Sequence, residues 1–268
     1  MKPISKTAFY CCGVRMQDAE SDNPVCGDRF AKAFMNEDGL RVLETFKDET
    51  SPNATNVVRH RMIDDFLRAE LLKNSDLCVL TIGAGFDSRP YRLTGGTWVE
   101  IDDPQIIAYK NERLPVEHSA NPLSRIAIDF ATGSLEEKLA PFADRDSVVI
   151  VIEGVFVYLS ETEIADLLVI LHRLFPRHQL ICDLVSRDFF EQYSKSLHEK
   201  INGIGTAFRF TAAEPETIFL ANGYRRTQWI SIIERASELE LIKIPKLVLK
   251  TVLRTLADGY AIYIFETK

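Results

Sequence analysis

The chain has 268 residues, 46% hydrophobic, 26% charged and 10% aromatic, with 32 Lys and Arg against 39 Asp and Glu. A net charge of −7 argues against a general nucleic-acid binder, which needs a basic face for phosphates. No run of about 18 apolar residues is present, so no membrane-spanning helix is expected.

The first residues, MKPISKTAFYCCGVRMQDAESD, carry scattered charge and no apolar stretch of signal length, which points to a cytoplasmic protein. Residues 1–55 mix helical stretches with the turn residues Gly39, Ser51, Pro52 and Asn53. From Val57, VVRHRMIDDFLRAELL places Val58, Met62 and Phe66 at helical spacing, with Ile63 and Leu67 beside them, and predicts an amphipathic helix ending at Asn74-Ser75. Residues 1–73 thus read as a helical cap. Short apolar runs then alternate with helices. The runs are Leu77–Ile82, Thr97–Ile101, Ser124–Ile128, Ser147–Ile152 and Leu180–Val185; the helices include Pro104–Leu114 and Glu161–Phe175. Tyr224–Ile230 and Tyr260–Glu266 look like a late strand pair, with helix-like insertions over 186–222 and 231–258.

Runs that are apolar on both faces and separated by helices predict a parallel sheet covered on both sides. The expected fold is α/β: a Rossmann-like, doubly wound, seven-stranded and mostly parallel sheet with a C-terminal antiparallel strand and a helical N-terminal cap. It reads as one domain, with the core over 77–185, insertions over 186–258 and a last strand over 260–266. The five cysteines (Cys11, Cys12, Cys26, Cys78, Cys182) form no C-x-x-C pair and have no zinc-ligand spacing to the histidines. They read as free thiols, and no metal is expected.

Ligands of such sheets bind beyond the carboxyl ends of the strands. Those ends are polar here: Gly83-Ala84-Gly85 and Asp87, Asp102-Asp103, Asp129, and Glu153-Gly154. Two glycines where a strand stops allow a tight turn and close approach of a ligand to the backbone. Asp102, 19 positions after Gly83, is placed to accept hydrogen bonds from a ribose diol. The expected ligand therefore contains adenosine. A dinucleotide fingerprint needs a third glycine, yet position 88 is Ser, and Asp87 would repel a pyrophosphate at that turn. S-adenosylmethionine, with its ammonium and sulfonium and no phosphate, fits better than NAD.

VLTIGAGFDSRPYRL, VEIDDPQIIAYK, IAIDF and VIEGVFVYLSETEI, in this order, resemble the leucine carboxyl methyltransferase family. TAFYCCGVRMQDAE and VVRHRMIDDFL resemble its bacterial branch, which includes O-methyltransferases of small metabolites such as polyketides. The resemblance runs from about residue 6 to 165 and implies residue roles. Gly83, Ala84 and Gly85 would line the cofactor, with Asp87 shaping the loop. Arg59 matches an arginine that pairs with a carboxylate, and Asp102, next to Asp103, matches the ribose-binding acid. Asp129 and Phe130 match the adenine-edge site. Glu153, with Gly154, matches an acid near the methionine portion, and Tyr158 is the catalytic candidate.

Each role has an alternative. Arg61 could replace Arg59, Asp129 could cap the next helix, and Tyr158 could be a packing residue. Arg89 and Arg92 read as structural partners of nearby acids, and the five histidines as surface or structural residues. The implied activity is S-adenosylmethionine-dependent O-methyl transfer to a hydroxyl or carboxyl of a small molecule, by a monomer or homodimer, leaving S-adenosylhomocysteine. With no histidine base in the motifs, an acceptor that is already ionised is mildly favoured. Other readings are methylation of a protein C-terminus, a non-catalytic S-adenosylmethionine-binding module and, more remotely, an NAD-dependent oxidoreductase.

Overall fold

The computed structural model describes residues 3–268. Helices α1 (Pro3–Ala19), α2 (Ala31–Phe34), α3 (Glu37–Thr45) and α4 (Thr50–Lys73) precede the first strand. Strands β1 (Cys78–Ile82), β2 (Thr97–Asp102), β3 (Leu123–Ala127), β4 (Val148–Ile152) and β5 (His178–Val185) alternate with helices α5 (Arg89–Arg92), α6 (Pro104–Arg113), α7 (Leu135–Leu139) and α8 (Glu161–Leu174). Helices α9 (Arg187–Tyr193), α10 (Lys195–Gly203) and α11 (Thr217–Ala221) precede β6 (Tyr224–Ser231). Helices α12 (Ile232–Glu238), α13 (Lys246–Lys250) and α14 (Arg254–Asp258) lead to β7 (Tyr260–Thr267).

The seven strands form one sheet in the order β3-β2-β1-β4-β5-β7-β6. The first five pair in parallel, and β7 lies between β5 and β6, antiparallel to both. Every residue of β1 and β4 is buried, as expected for strands covered on both faces. Alternation along β1 sends Cys78, Leu80 and Ile82 into one core with α8, and Leu77 and Val79 into another with α4 and α12. Strand order reverses between β1 and β4, so the crevice lies above their carboxyl ends.

The cap docks on that crevice through aromatic rings. Phe86, in the turn after β1, lies 4.9 Å from Phe9 of α1 and stacks on Phe34 of α2 at 5.2 Å. Two elements differ from expectation. Helix α4 begins at Thr50 instead of Val57, with Pro52 inside its first turn, where the missing N–H has no intrahelical partner to lose. Strand β3 ends at Ala127, and the Ile128 N–H bonds Asp102 O at 2.9 Å just past it. Among the described residues no helix is long and apolar enough to cross a membrane.

Candidate functional site

The turn after β1 needs its glycines. Gly83 has φ +69° and Gly85 φ +47°, left-handed values that strain other residues. A Cβ on Gly83 would also stand 2.5 Å from Val155, in the turn after β4. The two turns thus face each other across the switch point. At the tip of β2, the Asp102 carboxylate accepts the Gly85 and Asp103 N–H groups, each at 2.6 Å. Burial pushes the Asp102 carboxyl above its ordinary value, against those two hydrogen bonds, which favour the charge.

Helix α4 contributes Arg59, His60 and Asp64, all buried. Arg59 donates from Nε to Glu153 at 3.1 Å, and from Nη1 to Asp183 at 3.1 Å and to Tyr260 Oη at 2.9 Å. Asp183, in β5, also accepts the Gly154 N–H at 2.6 Å. Arg89 is fully buried; it reaches Asp64 at 2.6 Å, Asp87 at 2.5 Å and Glu153 at 2.8 Å. Arg92 donates to Asp64 and to His60 Nε2, at 2.5 and 2.7 Å. His60 Nδ1 lies 2.8 Å from Arg89 Nη2 and 3.2 Å from a Glu153 oxygen, so each ring nitrogen faces an arginine. Burial, with Arg89 nearby, holds His60 below its ordinary pKa and hence neutral. Burial would raise Glu153, but Arg89, His60 and Arg59 hold it well below the usual carboxylate range.

Several expected site residues are held by the chain's own groups. Asp87 is not the bare carboxylate that the sequence suggested. Arg89 covers it with both its side chain and its backbone N–H, so the case against a dinucleotide rests on Ser88, which is buried and donates to Asp28. Arg59 is engaged by the chain's own acids. Asp103 lines the crevice but caps α6 through Gln105 N at 2.9 Å. Asp129 accepts Ala131 N at 3.2 Å in a turn, and the cap of α7 is Ser134; Phe130 beside it is exposed. The Tyr158 hydroxyl is hydrogen-bonded to Thr7, and burial pushes it further from ionisation. Arg61 pairs with Asp65 and Val25 O on the outside of α4. Arg89 and Arg92 are the structural partners of acids that the sequence suggested.

Sequence reasoning missed Asp183, Asp64 and Asp28 as the acids that hold these arginines. For Asp183 the signal was a lone acid within the apolar run LICDLV.

Gly83, Ala84, Gly85, Asp102, Glu153 and Gly154 open on one cavity of about 960 Å³, which Arg59, Asp87, Asp129, Phe130 and Tyr158 also line. The insertions add apolar side chains to its wall, among them Phe189, Phe190, Leu197, Phe208, Phe210 and Leu256. Among the described residues, no group of three His, Cys, Asp or Glu side chains could hold a metal ion.

Strand order and strand-tip acids place the protein among the doubly wound α/β folds that bind nucleosides at the switch point. Comparison with known proteins narrows this. A profile of the leucine carboxyl methyltransferase family matches residues 8–172, more than half of the chain, and the chain belongs to that family. A Mycobacterium ulcerans (strain Agy99) protein, named as a candidate S-adenosyl-L-methionine-dependent methyltransferase, is 31% identical over 142 residues, covering 48% of this chain and 46% of that one. A similarly named protein of Mycobacterium sp. (strain MCS) is 28% identical over 160 residues, 55% of this chain and 65% of that one. The chain thus spans about half to two thirds of these curated relatives. A duf574 family protein from Streptomyces avermitilis MA-4680 shares the fold with TM-score 0.56 and 10% identity, covering 96% of this chain and 97% of that chain. Magnesium protoporphyrin IX methyltransferase from Synechocystis PCC 6803, solved with bound SAH, gives TM-score 0.51 and 16% identity over 100% of both chains.

Proposed function

We propose that this protein is an S-adenosylmethionine-dependent O-methyltransferase acting on a hydroxyl or carboxyl of a small molecule. The observation that carries the reading is that Gly83, Asp102 and Glu153, from three strand tips, line one cavity. The residues fit the cofactor. Asp102 is partly exposed beside Gly85 and has lone pairs left for a ribose diol. The lining residues include nine carboxylates against three guanidiniums, a balance suited to a ligand with two cationic groups.

When bound, with the Gly83–Gly85 turn and Asp102 holding its nucleoside, the cofactor would supply an electrophilic methyl group for an acceptor oxygen, the C–S electron pair remaining on sulfur. The chain's own residues align and enclose. The Gly83 and Gly85 turn lets a ligand approach the backbone, and the Arg59–Glu153–Asp183 network holds the two central strand tips rigid. The apolar side chains that the insertions put into the cavity wall suit an apolar acceptor body and would keep water from it. That lining favours a small acceptor over a polypeptide C-terminus. A cytoplasmic monomer or homodimer, folded as one domain with the divisions read from the sequence, completes the proposal.

Calorimetric titration with S-adenosylhomocysteine tests the reading: saturable binding is expected, and none up to millimolar ligand would end it. Binding with no methylated product from any acceptor would instead favour the non-catalytic module.

A further inference from the structure

One stretch of the last insertion turns apolar side chains to solvent. Eleven large apolar side chains stand exposed among the described residues, and four of them, Leu239, Leu241, Leu247 and Val252, fall within 239–252. Leu247 and Val252 are 74% and 81% exposed. Single leucines scattered over a surface are ordinary, whereas a cluster marks a contact. The chain is two-sided here. Ile242, Ile244 and Leu256 turn inward to line the cavity, and Leu249 is buried in one cluster with Phe189 and Ile233. With that face used, Leu241, Lys243, Lys246, Leu247, Lys250 and Val252 are left outside.

Charge decides what such a face meets. Residues 241–257 hold Lys243, Lys246, Lys250 and Arg254 and no Asp or Glu, in a chain whose net charge is −7. Lys246 pairs with Glu238 at 2.7 Å and Arg254 with Asp258 at 3.0 Å. Lys243 and Lys250 are exposed and make no ion pair among the described residues.

Unpaired lysines beside exposed leucines suit a protein partner poorly, because the buried centre of a protein interface is depleted of lysine. A second copy suits them less, since a two-fold contact sets the patch against itself, with the same lysines on both sides. An anionic bilayer meets both parts of the chemistry: its headgroups take the ammonium groups and its acyl boundary takes the apolar side chains. Lysine is adapted to that boundary, its apolar stem lying among the leucines while the charge reaches the headgroups.

We propose that residues 239–254 form a docking face for an anionic lipid bilayer, on which the protein rests without spanning it. The inner side chains of the same stretch wall the cavity, so docking holds the cavity at the bilayer surface, where apolar molecules concentrate. The docking is independent of the methyl-transfer reading.

Co-sedimentation with unilamellar vesicles tests it, using phosphatidylcholine alone and an equal mixture of phosphatidylcholine and phosphatidylglycerol. Wild-type protein is expected to bind the mixture about tenfold or more tighter than phosphatidylcholine. That preference should fade as salt rises to about 0.5 M, where charges are screened beyond a few ångströms. Lys243→Glu with Lys250→Glu should remove the preference, since each lysine at an anionic surface is worth about a fivefold change in affinity. Leu247→Ser with Val252→Ser should weaken binding to the mixture about tenfold. All four side chains are exposed, so both double variants should keep the wild-type melting temperature. Equal binding to the two vesicles, no binding to the mixture, or indifference to either double variant would overturn the proposal. A wild-type dimer that Leu247→Ser with Val252→Ser makes monomeric in size-exclusion chromatography would assign the face to a second copy and overturn it too. The vesicle comparison needs only wild-type protein, so it decides even where a variant fails to fold.

Discussion

Asp102, half-buried at the crevice, and Asp28, fully buried, are set to opposite tasks by their surroundings. Asp102 meets only backbone N–H groups and keeps lone pairs for a ligand. Replacing it with Asn leaves an oxygen for one of those groups but removes the charge. Asp102→Asn is expected to lower S-adenosylhomocysteine affinity by about 1.5–3 kcal/mol, the worth of a hydrogen bond to a charged group, read by calorimetry; unchanged affinity would mean that β2 does not hold the ribose. Asp28 is consumed by structure. Burial would raise it, but Arg15 and Arg92 hold it down at about 2. Because the folded value lies below the unfolded one, its stabilisation is complete above about pH 4 and is lost as pH falls towards 2. Asp28→Asn should cost about 2 kcal/mol or more at pH 7, where wild type gains the full shift, and much less near pH 2; urea melts at the two pH values compare them.

Elements hold the site through their ends. Helix α8 starts in a capping box, Ser160 and Glu163 each bonding the other's backbone N–H, which fixes the short turn carrying Tyr158. Ser160→Ala should lower stability by about 1 kcal/mol, read as a shift in denaturation midpoint. At the start of β5, His178 donates from Nδ1 to Phe175 O at 2.6 Å and accepts at Nε2 from the Tyr224 hydroxyl at 3.0 Å, and burial pushes its pKa down to about 4. The fold therefore prefers neutral His178, so this contribution is full above about pH 6.5 and fades as pH falls towards 4. Wild type should lose roughly 3 kcal/mol across that window from this group. In His178→Gln that slope should vanish; an unaltered slope would show that His178 is not its source. The strands were legible as elements because a two-faced apolar run needs no partner to be recognised. The early start of α4 was not, since Pro52 reads as a breaker until the helix register shows it in the first turn.

Across the whole molecule the last strand closes the sheet. Strand β7 pairs with both β5 and β6, and Tyr260 at its start bonds Arg59. Removing residues 259–268 should therefore leave no cooperative transition in calorimetry, whereas the intact chain should melt in one. What the sequence by itself determined was the alternation of strands and helices and the chemical types at the strand tips, since both follow from local periodicity and local turns. Only the tertiary structure decided which tip acids arginines occupy and which remain for a ligand. Arg59 meets Glu153, Asp183 and Tyr260 from 94, 124 and 201 positions away. Ion pairing falls off with distance in space, and separation along the chain carries no record of that distance.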